Sequence, residues 1–169
     1  MHRLWILVGL AACGSGNETA ARQAPVQTEP TKACTEIGCG PAFELRFKKQ
    51  TPWAKGTYRI EVAFDNAPPT TCKIAFPLDC DVEQQCEGPN SGDFHIGESG
   101  CALPPEGQEL MGVAVNQGVA PAVLSVAVFQ KGKQLASQTY ALQYIQGFPN
   151  GPDCGPPCTS APSADLSLP

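Results

Sequence analysis

Cysteine placement constrains this chain more than any other feature. Nine cysteines occur among 169 residues. Eight of them, Cys34, Cys39, Cys72, Cys80, Cys86, Cys101, Cys154 and Cys158, form an even set, and Cys13 stands apart behind a short apolar run. Their chemistry depends on the compartment, to which the first residues speak. Met1-His2-Arg3 carries one fixed positive charge, Leu4 to Leu10 is almost wholly apolar, and the small residues Ala11 and Ala12 precede Cys13. A charged start, an apolar stretch of roughly 7–15 residues and a small-residue cleavage site describe a secretory signal peptide, here residues 1–12. A spanning helix needs about 20 apolar residues, and this run ends at polar Gly14-Ser15-Gly16-Asn17-Glu18. Exported thiols meet an oxidising environment, so the even set reads as a disulfide framework.

Eight cysteines allow 105 pairings, and spacing selects none of them. The arrangement still favours one expectation. Cys34/Cys39 and Cys154/Cys158 sit at the two ends of the domain and are expected to bridge to one another. In the middle, Cys80 is expected to join Cys86 locally and Cys72 to join Cys101. Each bridge would add about 2–4 kcal/mol by restricting the unfolded chain. Zinc would want four ligands in C-x₂₋₄-C pairs, but thiolates exposed in this compartment would oxidise, and His95 is the only imidazole after Cys13. Cys154-Gly155-Pro156-Pro157-Cys158 has three residues between its cysteines and no helix pattern after them, which argues against a thioredoxin-like redox site. No metal and no cofactor are expected.

Leu10-Ala11-Ala12-Cys13 resembles the lipobox of bacterial lipoproteins. The resemblance implies that the Cys13 thiol receives a diacylglycerol, that cleavage precedes it, and that the new amino group is acylated. Two or more chains anchor stably, at about 0.8 kcal/mol per buried CH₂. Gly14 is not the aspartate that holds enteric lipoproteins at the inner membrane, so the implied destination is the outer membrane of the cell envelope.

Residues 13–33 are polar, small and punctuated by proline, and read as a flexible tether; 159–169 read as a disordered tail. Between them, 34–158 carry strand signals. Phe43, Leu45 and Phe47 alternate with Glu44, Arg46 and Lys48; Tyr58, Ile60, Val62 and Phe64 alternate with polar and small residues; Cys72, Ile74 and Phe76 do the same. Asp65-Asn66-Ala67-Pro68-Pro69 is turn chemistry. Leu78 to Gly92 has no sustained pattern and reads as a long stapled loop. Further strands are expected at Asp93–Ile96, Glu109–Asn116 and Ala122–Lys131, the last covered on both faces. A hairpin at Gly132 and a bulged return strand through Tyr144 follow. No stretch shows a 3.6-residue apolar repeat. The expected fold is all-β, an antiparallel immunoglobulin-like sandwich of about seven strands.

The lipobox, the Gly56-Thr57-Tyr58 strand entry, Cys72 and the ending Pro149-Asn150-Gly151-Pro152-Asp153-Cys154-Gly155-Pro156-Pro157-Cys158 together resemble small cysteine-rich lipoproteins of myxobacteria and related soil bacteria. That resemblance implies an address and a scaffold, and no activity.

Chemistry is sparse. Ser91, Asp93 and His95 fall within five residues, but a catalytic triad is assembled in space from separate segments, and no G-x-S-x-G elbow occurs. Asp79, Asp81, Glu83 and Glu87 cluster in the long loop without matching a calcium loop. Trp53 and Tyr58 read as cover for one end of the core, with an exposed aromatic contact as the alternative. Net charge is −5, and no basic patch offers a footprint for nucleic acid. The expected role is a membrane-anchored binding or structural module that meets an envelope protein or glycan through the loop 78–92. A loop-borne hydrolase site using His95 and a small protein inhibitor are the alternatives.

Overall fold

A computed structural model describes residues 33–169; the expected signal peptide, Cys13 and nearly all of the expected tether lie outside the described residues. Cys34 to Pro169 form one compact unit. Its strands are β1 Phe43–Lys49, β2 Gly56–Phe64, β3 Thr70–Phe76, β4 Gln85–Glu87, β5 Phe94–Ser99, β6 Glu109–Val115, β7 Val123–Gln130, β8 Lys133–Ala141, β9 Ile145–Gly147, β10 Cys158–Ser160 and β11 Ala164–Leu168. A single 3₁₀ turn at Pro105–Gly107 is the only helical piece among the described residues.

Period-2 alternation builds the two main sheets. One has the order β11-β1-β6-β5 and the other β4-β3-β2-β7-β8, while β9 and β10 form a small ribbon. Phe43, Leu45 and Phe47 of β1 are buried, as are Tyr58, Ile60, Val62 and Phe64 of β2, and their polar neighbours face outward. The two inner faces share one core. Phe64 meets Phe94 at 5.9 Å and Phe43 meets Tyr140 at 6.3 Å, each pair joining the two sheets. Trp53 closes one end, stacked on Phe76 at 5.5 Å and edge-on to Tyr58 at 4.9 Å. Both Trp53 and Tyr58 are therefore core residues, and the Tyr58 hydroxyl accepts a bond from the Ala54 amide at 3.0 Å.

Two bulges keep the alternation in step with the core. In β6, Met111 is the extra residue opposite the step from Gly97 to Glu98, so Leu110 and Val113 both point inward. Gly112 beside it has φ +143°, and a Cβ there would lie 1.8 Å from the Leu45 carbonyl oxygen, so only glycine fits. The bulge expected in the return strand is present as well, with Leu135 the extra residue between the partners of Val128 and Phe129.

The open sides of the sandwich are joined. Along one, the Gln84 side-chain amide donates to the Ile96 carbonyl and accepts from the Ile96 amide, pairing with the edge of β5 as a neighbouring strand would. Along the other, the Tyr140 hydroxyl of β8 donates to the Asp165 carbonyl of β11 at 3.1 Å.

Three expectations are corrected here. The segment 159–169 is no tail: β11 pairs in parallel with β1 from Leu45↔Ala164 to Lys49↔Leu168, and Leu166 and Leu168 are buried in the core. Ala164, Leu166 and Leu168 alternate with Asp165 and Ser167, a period-2 pattern too short to stand out behind Pro162. The strand β7 is buried on one face only, by Leu124, Val126 and Val128. Its other face is half-exposed, and Phe129 there lies under the Arg59 guanidinium at 3.8 Å. The loop 78–92 is also interrupted by β4, whose three residues are too few to produce a readable period.

All eight cysteines of the domain are paired. The terminal pairs bridge to one another, as Cys34–Cys154 and Cys39–Cys158. The middle four depart from expectation, forming Cys72–Cys86 and Cys80–Cys101. The reason is register: Cys72 of β3 lies directly opposite Cys86 of β4, which leaves Cys80 to reach the β5–β6 connection. Taken alone, a bridge closing about 120 residues is worth about 4–5 kcal/mol, and one closing about 15 about 3. The second terminal bridge adds less, because the first already brings its cysteines close together.

Candidate functional site

Connections at the Trp53 end of the sandwich form a braced platform. Cys80–Cys101 ties the loop after β3 to the loop after β5, and Cys72–Cys86 fixes the base of the first loop to the sheet. Between them sits Gln108, a polar residue with its side chain buried. Its carbonyl oxygen accepts the Leu78 amide at 2.5 Å, and its NH₂ donates to the carbonyls of Cys101 and Leu103, both at 3.1 Å. One amide thus holds residues 78, 101 and 103 together. Asp79 turns its carboxylate back to accept the Asp81 amide at 3.0 Å, shaping the loop tip.

From this rigid base the platform exposes Val82 and Leu103, two large apolar side chains. Asp79, Asp81 and Glu83 on the first loop and Glu106 on the second are exposed as well, whereas Glu87 lies on β4 opposite Thr71, toward the other end of β3. Two clefts of about 270 Å³ flank the loops, one along Lys73, Leu78, Val82 and Glu98 and one along Phe47, Pro52, Trp53 and Glu106. Both fall below the roughly 300–1,000 Å³ of a drug-sized ligand pocket. In the first cleft, burial raises the Glu98 carboxyl above its ordinary range, a shift partly offset by a hydrogen bond from Gln84.

The other sequence candidates are not assembled into a site. His95 is exposed on the outer face of β5, Ser91 lies in the preceding turn, and the Asp93 carboxylate accepts a bond from the Asn90 side-chain NH₂ at 3.0 Å. Among the described residues no hydrogen bond joins the three. Nor do any three His, Cys, Asp or Glu side chains among the described residues converge to hold a metal ion. Cys154 and Cys158 are each bonded to a distant cysteine and not to one another, so the C-x₃-C segment holds no dithiol.

Sequence reading missed Gln84 and Gln108. Glutamine in a polar loop carries no signal of its own, and both acquire their roles from partners 12 and 30 residues away. No protein-family model, curated protein or solved structure matches the chain.

Proposed function

We propose that this chain is a lipoprotein of the bacterial cell envelope, processed after residue 12, acylated on Cys13 and directed to the outer membrane, whose sandwich is a binding module for another envelope protein. The observation that carries the binding role is the braced platform: Val82 and Leu103 stand exposed on loops that two disulfides and Gln108 hold rigid. Rigid loops lose little conformational entropy on association, and an exposed apolar centre within a polar rim is the anatomy of a protein interface. The rim is acidic, which steers the module toward a basic partner. Complete pairing of the domain's cysteines fits an oxidising compartment.

The same reading takes the sandwich as immunoglobulin-like. Supporting it, β1 pairs with β6 and β2 with β7 across the sequence, while hairpins β2–β3, β5–β6 and β7–β8 extend both sheets. In this reading β11 occupies the edge beside β1. A second role, protein inhibitor, is favoured by one feature, the presentation of Val82 two residues from a bridged Cys80.

Cross-linking in intact envelopes tests the binding role. Wild-type protein is expected to capture a discrete basic envelope protein, and a variant combining Val82→Ser with Asp79→Asn, Asp81→Asn and Glu83→Gln is expected to lose it. Identical capture by the variant would contradict the platform, and a captured protease that loses activity would favour the inhibitor role.

A further inference from the structure

The end of the sandwich opposite the platform carries a second apolar patch. Ile37, Ile145 and Phe148 are 55%, 67% and 45% exposed. All three lie on two segments, 34–41 and 145–158, that are fastened together. Cys34–Cys154 and Cys39–Cys158 join them covalently. Asn150 accepts the Ile37 amide at 2.8 Å and donates to the Ile37 carbonyl at 2.9 Å. The position of this patch follows from β6. Gln108, in the platform, immediately precedes that strand. At its other end the Val115 carbonyl accepts the Ala42 amide at 2.8 Å, and Gln117 donates to the Gly40 carbonyl at 2.7 Å. A strand of this length separates the two ends by about 20 Å.

From this placement we infer that the Ile37–Ile145–Phe148 patch rests on the lipid bilayer, so that the domain stands upright with its platform turned away from the membrane. The inference rests on the lipoprotein reading above. The occupant follows from covalent geometry. The chain enters the domain at Cys34, within the patch, and 20 residues separate Cys34 from Cys13. Even fully extended, such a length reaches no farther than about 70 Å. An anchor that close gives the patch a millimolar effective concentration of lipid surface, so contacts too weak to hold a free protein suffice. Neither segment carries a Lys or Arg to attract anionic headgroups, so a zwitterionic surface suits them.

Tryptophan quenching tests the orientation. Full-length acylated protein carrying Phe148→Trp, Ile37→Trp or Val82→Trp is placed in phosphatidylcholine vesicles with brominated acyl chains, and the constant contribution of buried Trp53 is subtracted. The added emission at positions 148 and 37 is expected to fall by half or more, and that at position 82 to be unchanged. Equal quenching at both ends would overturn the inference. So would blue-shifted but unquenched emission at 148, which would mean that a second copy or residues 13–33 cover the patch. Intact mass of the same sample separates the two failures: no acyl group on Cys13 defeats the anchor itself, whereas acylation without quenching defeats only the orientation.

Discussion

Replacing Gln108 by alanine would strip the Leu78 amide and the carbonyls of Cys101 and Leu103 of their shared partner. A buried polar group left unpaired costs about 1–3 kcal/mol. With partial rescue by water, a total loss of about 2–4 kcal/mol is expected in denaturant titration; a loss below about 1 would show that Gln108 is not the platform's central tie. Gly112→Ala should be worse, since its Cβ would meet Leu45 carbonyl oxygen at a φ of +143°. No folded protein is expected from it. Glu98 makes a pH-dependent contribution. Its folded-state pKa is raised by burial, so its favourable contribution is complete below the unfolded value of about 4.3 and is lost as pH rises through the folded value. Glu98→Gln should therefore raise the melting temperature at pH 7 and leave it unchanged at pH 3; equal effects at both would contradict burial as the cause. None of these three residues is marked in the sequence, because each owes its role to a neighbour far along the chain.

Among the elements, β11 separates two sources of stability. It is held by buried Leu166 and Leu168 and by an exposed Arg46–Asp165 ion pair at 2.9 Å. Exposed pairs contribute about 0–1 kcal/mol, and removing a buried leucine side chain costs about 2–5. Leu166→Ala should thus lower stability several-fold more than Asp165→Asn, as read by unfolding midpoints; the reverse order would mean that charge holds the strand. The same comparison explains what sequence made legible. Strands β1, β2 and β3 each alternate over seven or more residues, long enough for the period to declare itself and for Cys72 to be placed inward. Short β4, β9 and β10, of three residues each, fall below that threshold. Because β4 was invisible, so was the Cys72–Cys86 register, and with it the route of Cys80 to Cys101. The loop carrying the platform was recognisable as a loop, but what makes it rigid was not.

For the molecule as a whole, all three tyrosines face the core or its margin, and burial raises the pKa of each; Asp165 adds to the shift at Tyr140 and Asp65 to that at Tyr144. Their folded values exceed the unfolded value of about 10, so their contribution is intact below that pH and is lost as pH climbs through the raised values. In the folded protein, phenolate absorbance should appear only above the pH at which free tyrosine ionises; tyrosines that ionise near pH 10 with the fold intact would contradict the packing. The proposed function gives the molecule two distinct ends: one tethered, where the chain enters the domain at Cys34, and one braced, which would meet a partner. Both ends depend on the domain being anchored and fully stapled. The most direct test is intact mass with non-reducing peptide mapping of protein purified from bacterial membranes. The expected result is an N-terminus at acylated Cys13 and the four bridges Cys34–Cys154, Cys39–Cys158, Cys72–Cys86 and Cys80–Cys101. A soluble product without acyl groups, or free thiols among those eight cysteines, would contradict it.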